Sequence, residues 1–435
     1  MQFKYLQSNH KYLRRNYKRK LTKLVNSTLY CYLTQSGTFL SNLLTFITQN
    51  LTMNQRYYSL DVFRGATVAL MILVNNPGSW AHIYSPLEHA TWHGCTPTDL
   101  VFPFFLFAVG NAMAFVMPRF EQAGPGVFWR KVIKRTLLIF AIGVFLNWSP
   151  FVRWDGENIA WKLWQNVRIF GVLQRIALCY FFASVIVYYA KTRGAFVISA
   201  AFLLIYWFLC ILMGSPNDPY SLSGWFGTTI DIKLLGLTHI YKGEGVPFDP
   251  EGLSSSLAAI VQVIFGFFVG QYIQQKGKTY EMLSNLFVAG LVLFFTGYCW
   301  DMVFPVNKKI WTSSYVLYTT GLAIMTIGVL IYQIEFKERK GAWSKFFDVF
   351  GKNPLFIFVL SGFLPRVSTM FRWVDHTTVE GKKVFTSFFP WFYEHICKNM
   401  ASDLRIGSFF YALCIIAFYW SIGYILDKKK IYIKV

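Results

Sequence analysis

Of the 435 residues, 54% are hydrophobic and 19% aromatic while only 14% are charged, a balance too apolar for an ordinary soluble domain. The formal net charge of +21 raises the question of nucleic acid. The basic residues, however, are spread between hydrophobic stretches and are not gathered on one polar domain, which argues for membrane topology and against a nucleic-acid partner. Seven scattered cysteines with no CxxC pair indicate neither a zinc site nor a disulfide framework.

Residues 1–52 carry eight Lys or Arg before Val25, no acid, and then a Thr/Ser/Leu-rich stretch without a clean apolar run. They read as an unstructured basic extension in front of a membrane domain at 53–435. Met53 precedes the strongly patterned Arg56-Tyr57-Tyr58-Ser59-Leu60, so translation starting at Met53 is the alternative.

From residue 59 onward, apolar stretches long enough to cross a bilayer recur at 59–76, 100–117, 132–148, 167–189, 195–213, 253–273, 283–303, 314–334, 346–364 and 406–426. The fold class expected is an all-α integral membrane protein with about ten transmembrane helices. Charge bias sets the orientation. With both termini cytoplasmic, the cytoplasmic segments hold 27 Lys or Arg against 7 acids, and the outer loops 13 against 14. Residues 65–118 contain no Lys or Arg, which places the first loop outside. Basic cytoplasmic flanks suit a bacterial inner membrane, with that loop on the periplasmic side. The aromatic residues crowding the long loops at 214–252 and 365–405 read as an interfacial belt, with stacking on a sugar as the sharper alternative.

Six of the seven histidines fall on the expected outer side, and three of them, His82, His89 and His93, share the loop between the first two spans. His89 and His93 have the i, i+4 spacing of a helical metal pair, but Gly94 and Pro97 break any long helix there and no carboxylate has ligand spacing, so no metal is expected. A histidine acting as general base is the alternative, as is a solvated polar loop. Asn75 closes the first span beside this loop, where its amide could stabilise an oxyanion or merely cap the helix before Pro77.

Polar side chains within or at the ends of spans are costly unless partnered, and they include Asp61, Arg64, Asn75, Asn76, Asp99, Asn111, Gln174, Arg175 and Lys352. Arg64 could pair with Asp61 one turn away or meet a phosphate, and Arg175 could be an ion-pair partner or an anion clamp. A carrier or flippase would also need such residues, so transport of sugars or lipid-linked sugars is the reading from a second functional class.

At these positions the sequence resembles the heparan-alpha-glucosaminide N-acetyltransferase family and its bacterial relatives. The resemblance runs through Ser59-Leu60-Asp61-Val62-Phe63-Arg64-Gly65, then from His89-Ala90-Thr91-Trp92-His93-Gly94 to Asp99 and Pro103, and through Gly171-Val172-Leu173-Gln174-Arg175. It continues at Phe248-Asp249-Pro250-Glu251-Gly252 and Pro305-Val306-Asn307-Lys308-Lys309-Ile310-Trp311-Thr312. The resemblance implies transfer of the acetyl group of acetyl-CoA, supplied from the cytosol, to the amine of a terminal glucosamine on the far side of the membrane.

It implies further that His89 is the active-site histidine, as base or as acetylated nucleophile, and Asn75 the catalytic asparagine. Arg64, Gln174, Arg175, Asn307 and Lys308 become candidate donors to acetyl-CoA, and a homodimer is expected. The lysosomal members carry an additional lumenal N-terminal domain with no counterpart in this sequence. Asn76-Pro77-Gly78 stand where the family has tyrosine or glycine-rich residues, which shifts the expected acceptor towards a cell-envelope or scavenged polysaccharide amine. A hydroxyl acceptor, giving O-acetylation of envelope polysaccharide, would use the same histidine.

Overall fold

The computed structural model describes residues 57–433, and the expected basic extension at 1–52 lies outside the described residues. Helix α1 (Tyr58–Asn75) buries Leu60, Phe63, Val68 and Ile72 on its inner face. It stops at Asn76, whose backbone is non-helical because Pro77 follows and disfavours the helical region in the residue before it. The loop beyond passes through short 3₁₀ turns at Ser85–Leu87 and Pro97–Leu100 into α2 (Val101–Ala114). A short α3 (Met117–Ala123) leads to α4 (Pro125–Trp148), then a β1–β2 hairpin (Val152–Asp155, Asn158–Trp161).

Helix α5 (Val172–Met213) would be roughly 63 Å long if it were straight, twice the hydrocarbon thickness. Lys191, with φ 55°, breaks it into two halves of spanning length. A loop containing α6 (Gly227–Leu235) precedes α7 (Ser256–Lys276), α8 (Tyr280–Asp301) and α9 (Ser313–Ile331). Then come α10 (Ala342–Lys352), α11 (Pro354–Ser368), a β3–β4 hairpin (Arg372–Thr377, Lys383–Ser387), the short α12 (Phe388–Phe392) and α13 (Leu404–Lys428).

Neighbouring helices approach closely where one of them has no side chain. A Cβ on Gly65 of α1 would fall 1.7 Å from the Phe347 carbonyl oxygen of α10, and one on Gly351 would fall 2.1 Å from the Asp61 carbonyl. The α2–α7 contact repeats the device, with Gly110 against Val263 and Gly266 against Phe107. Small residues at crossings are the expected solution where lipid supplies no hydrophobic drive for helix association.

Seven helices among the described residues are long and apolar enough to cross a membrane, or eight if the bent pair α10–α11 is one span. The sequence had suggested about ten. Two of the differences have a local cause. The expected stretch 132–148 lies in α4, whose first half carries Arg130, Lys131, Lys134 and Arg135. The expected span 346–364 is not straight, because the chain turns by 78° at Asn353. Pro354 imposes that turn, and Asn353 is held in it by donating to the Ile431 carbonyl (3.1 Å) and accepting from the Ile433 N–H (2.8 Å).

Candidate active site

The loop between α1 and α2 folds around one carboxylate. Asp99, whose side chain is 1% exposed, accepts through Oδ2 from the N–H groups of Ala90 and Thr96, both at 3.0 Å. The Thr96 hydroxyl lies 3.1 Å from the same oxygen. These bonds leave Oδ1 for the Nδ1 of His89, 2.7 Å away. A carboxylate on Nδ1 fixes the proton there and leaves Nε2 with its lone pair, the tautomer and orientation a general base requires. The Asp99 carbonyl accepts from the Tyr315 hydroxyl of α9 at 2.5 Å, which ties the turn to the bundle.

Lys308, in the α8–α9 connection, stands against the same ring. Its Nζ is 3.0 Å from Nδ1 and 3.3 Å from Nε2 of His89, and 3.4 Å from Asp99 Oδ1. Burial lowers its pKa, and the attraction of Asp99 and Glu251 restores only part of the shift. The connection is fastened to the histidine loop by a bond from the Gly94 N–H to the Val306 carbonyl (2.7 Å) and by Lys309 on the Thr91 carbonyl (2.9 Å). Asn307 is buried and builds this turn. Its Oδ1 accepts from the Ile310 N–H at 3.0 Å, and its amide nitrogen is 3.4 Å from Nδ1 of His93.

Two cavities meet at His89. The inner one, about 150 Å³, is walled mostly by apolar side chains of α1, α2, α5 and α11, among them Met71, Val101, Phe102, Ile176 and Phe358, with Asn75 on its wall. The outer one, about 230 Å³, is lined by more charged and aromatic side chains, with Trp92, Arg168, Tyr241 and Lys309 around it. His89, Val172, Glu251 and Lys308 line both. Cys95, beside the junction, has its thiol pushed up to about 12 by burial, which opposes formation of the thiolate.

The other candidate residues sit elsewhere. Gln174 and Arg175 are fully buried at the start of α5 and line neither cavity. Arg175 donates to the Gly252 carbonyl at 3.0 Å and to the Ser255 hydroxyl, and lies 5.1 Å from the Trp311 ring. It thereby pins the turn that presents Glu251. Arg64 lies eleven residues before Asn75 on α1, roughly 16 Å along the axis, paired with Asp61 at 3.5 Å and donating to the Gly351 carbonyl. Among the described residues no three His, Cys, Asp or Glu side chains converge as a metal-binding group.

Three residues at this site were not singled out for it by the sequence: Asp99 as the partner of His89, and Glu251 with Arg168. Arg168 chelates Asp249 (3.0 and 2.5 Å) and also pairs with Glu251. The sequence signals for Asp99 were a carboxylate at the mouth of an apolar stretch and a place in the family-like segment that begins at His89, neither of which paired it with that histidine, and none placed residues 168 and 251 together.

Fold and site together define a helical membrane protein with a histidine–carboxylate pair at one end of its bundle. Residues 56–234 match the family model described as heparan-alpha-glucosaminide N-acetyltransferase, catalytic. The human heparan-alpha-glucosaminide N-acetyltransferase is 26% identical over 442 residues, and the mouse protein of the same name 24% over 444. Each alignment covers 87% of this chain, and the chain spans about 60% of the length of those curated relatives. Family model, relatives and sequence motifs agree in the likeness they show, which is to the heparan-alpha-glucosaminide N-acetyltransferase family at modest identity.

Proposed function

We propose that the protein transfers the acetyl group of acetyl-CoA to the amine of a glucosamine-type sugar, with His89 as general base. The observation that carries this reading is the His89–Asp99 pair at the junction of an apolar cavity and a more charged one. An acyl-transfer centre must bring a thioester and a polar acceptor to one base from two directions, and this junction offers both. The apolar cavity suits the acyl end of the donor, and the more charged one a sugar.

In the step proposed, Nε2 of His89 removes a proton from the acceptor amine as its nitrogen attacks the thioester carbon. The carbonyl oxygen gains negative charge. Asn75, on the wall of the inner cavity, and the Lys308 ammonium are the donors at hand to stabilise it. Collapse breaks the C–S bond, and the proton held by His89 passes to the departing thiolate. Asp99 stays ionised throughout and stabilises the imidazolium that forms between the two transfers.

The chain is proposed to cross a bacterial inner membrane ten times, counting α4, each half of α5, and α10–α11 as one bent span. Its termini would be cytoplasmic and its histidine loop periplasmic, an orientation supported by the charge bias between alternate connections. Arg64, at the far end of α1, would then face the side from which acetyl-CoA comes.

The test is acetyl-CoA turnover by the purified full chain with glucosamine as acceptor, the N-acetylated product being read by mass spectrometry. Product from the wild type and none from His89→Ala is expected. Equal turnover in both, or movement of sugar without consumption of acetyl-CoA, would sink the reading.

A further inference from the structure

The charges around the outer cavity pair off unequally. Lys309 is matched by Glu244 at 2.6 Å, and Lys308 stands on Asp99. Arg168 alone is shared by two carboxylates, Asp249 and Glu251. Asp249 is saturated, since besides Arg168 it accepts from the N–H of Glu251 at 3.0 Å and lies 3.4 Å from that of Tyr241. The hydrogen bond of the Glu251 carboxylate goes from Oε2 to Arg168. Oε1 has no partner among the described residues. The open oxygen is therefore Oε1, on a side chain that is the only carboxylate among the described residues lining both cavities.

Resting on the acetyltransferase reading above, we propose that Glu251 receives the acceptor's amino group as an ammonium ion, and that this contact selects amine over hydroxyl acceptors. A primary amine next to a carbon framework titrates near pH 8, so an amino sugar arrives at neutral pH mostly as a cation. A cation entering a half-buried cavity needs a counter-charge that is already in place, and Oε1 supplies it. A neutral sugar brings no positive charge and leaves Oε1 without a cationic partner, which penalises it. Burial raises the pKa of Glu251, but Arg168, Arg175 and Lys308 more than offset it, so the carboxylate is ionised at neutral pH.

The protons balance. The bound ammonium gives one proton to Nε2 of His89, which releases it through the outer cavity. The free amine then attacks, a C–N bond forms, and the second proton leaves the tetrahedral nitrogen through His89 as the C–S bond breaks and the thiolate takes it up. Ammonium and thioester become amide, thiol and one released proton.

The experiment compares wild type and Glu251→Gln, as full chains in lipid nanodiscs, with two acceptors. One is glucosamine, and the other is an aminooxy sugar whose nitrogen is uncharged at pH 7. The expected result is a rise in KM for glucosamine of about tenfold or more, the size of one lost charge-assisted contact, with KM for the aminooxy sugar changed less than about twofold. Equal changes for both acceptors, or none, overturn the assignment while the acetyltransferase reading stands. A wild type that acetylates neither overturns both.

Because Gln at 251 could disturb the Arg168 cluster, a second measurement uses only the wild type. N,N,N-trimethylglucosamine, a permanent cation that cannot be acetylated, is expected to inhibit at least about tenfold more strongly than glucose. Equal inhibition by the two sugars would also overturn the proposal.

Discussion

Two ionic clusters occupy opposite ends of the helix bundle, and they differ in where their open atoms lie. At the end bearing the α10–α11 bend, Lys352 bonds Asp348 at 2.8 Å and Asp427 at 2.9 Å, while Lys345 bonds Asp427 at 2.9 Å. Two cations meet two anions, and the cluster holds the bend against the C-terminal helix α13, with Asp348 Oδ1 buried outside the two cavities and without a hydrogen-bond partner among the described residues. At the other end, Asp99, His89, Lys308, Arg168, Asp249 and Glu251 are as well bonded, with Lys308 3.3 Å from Nε2 of His89, yet Oε1 of Glu251 has no partner among the described residues and its side chain lines both cavities. Mutations should separate the two clusters, losing stability at one end and rate at the other.

The largest separation is expected from Asp99→Asn. An amide in place of the carboxylate would no longer hold the Nδ1 proton, and in acyl-transfer sites of this type the loss runs to roughly 10³–10⁴ in kcat. Thermal denaturation should shift far less than the rate. A parallel fall in folded yield would mean that Asp99 serves mainly to fold the loop. Lys308→Met comes next, with kcat lowered about 10–100-fold if the ammonium is an oxyanion donor and KM for the acceptor nearly unchanged.

Lys352→Met should act in the opposite sense. It leaves Asp348 and Asp427 with one cation fewer in a half-buried position, a loss on the order of 1–3 kcal/mol once the 18% exposure of the Lys352 side chain is allowed for. Thermal stability in nanodiscs should fall while kcat per folded molecule holds. A lower kcat with unchanged stability would refute the contrast between the two ends.

The apolar runs, the bias of basic residues and the clustering of histidines are all local properties, so the sequence shows them directly. The bend at Asn353 was also written locally, in Pro354, but the continuous run 346–364 concealed it because hydropathy does not register a missing N–H. Lys191 was readable as a short polar connection, and the structure makes it a break within one long helical stretch. The pairings were not readable. His89 and Asp99 are ten residues apart on irregular backbone, where no helical or strand period brings them together, and Lys308 reaches them across more than two hundred residues. Arg175 reads from the sequence as an ion-pair partner or an anion clamp, because an intramembrane cation needs some partner. The structure gives its Nη2 a carbonyl and a hydroxyl and leaves Nε and Nη1 buried without a hydrogen-bond partner among the described residues, an arrangement no sequence pattern marks.

The smallest effect concerns Asp231, on α6 behind the Glu251 turn, and it sharpens the comparison because it is a charge that closes with nothing. Its Oδ1 accepts from the N–H and hydroxyl of Ser254, at 3.1 and 2.9 Å, while Oδ2 is buried with no partner among the described residues. Burial raises the carboxyl from 3.8 to about 6, against the opposing pull of those Ser254 bonds and of Arg175. A carboxyl raised in the folded state binds its proton more tightly there than when unfolded, so between pH 3.8 and about 6 stability falls as pH rises, and above about 6 the whole penalty is present. Asp231→Asn keeps the Ser254 contacts through its amide oxygen and removes the charge. It is expected to stabilise the protein by an amount on the order of 1–2 kcal/mol above pH 6 and to leave it unchanged near pH 4, read as melting temperature across that range. A constant difference at every pH would mean that packing rather than charge sets the effect, and Asp231 would then be neutral in the native protein.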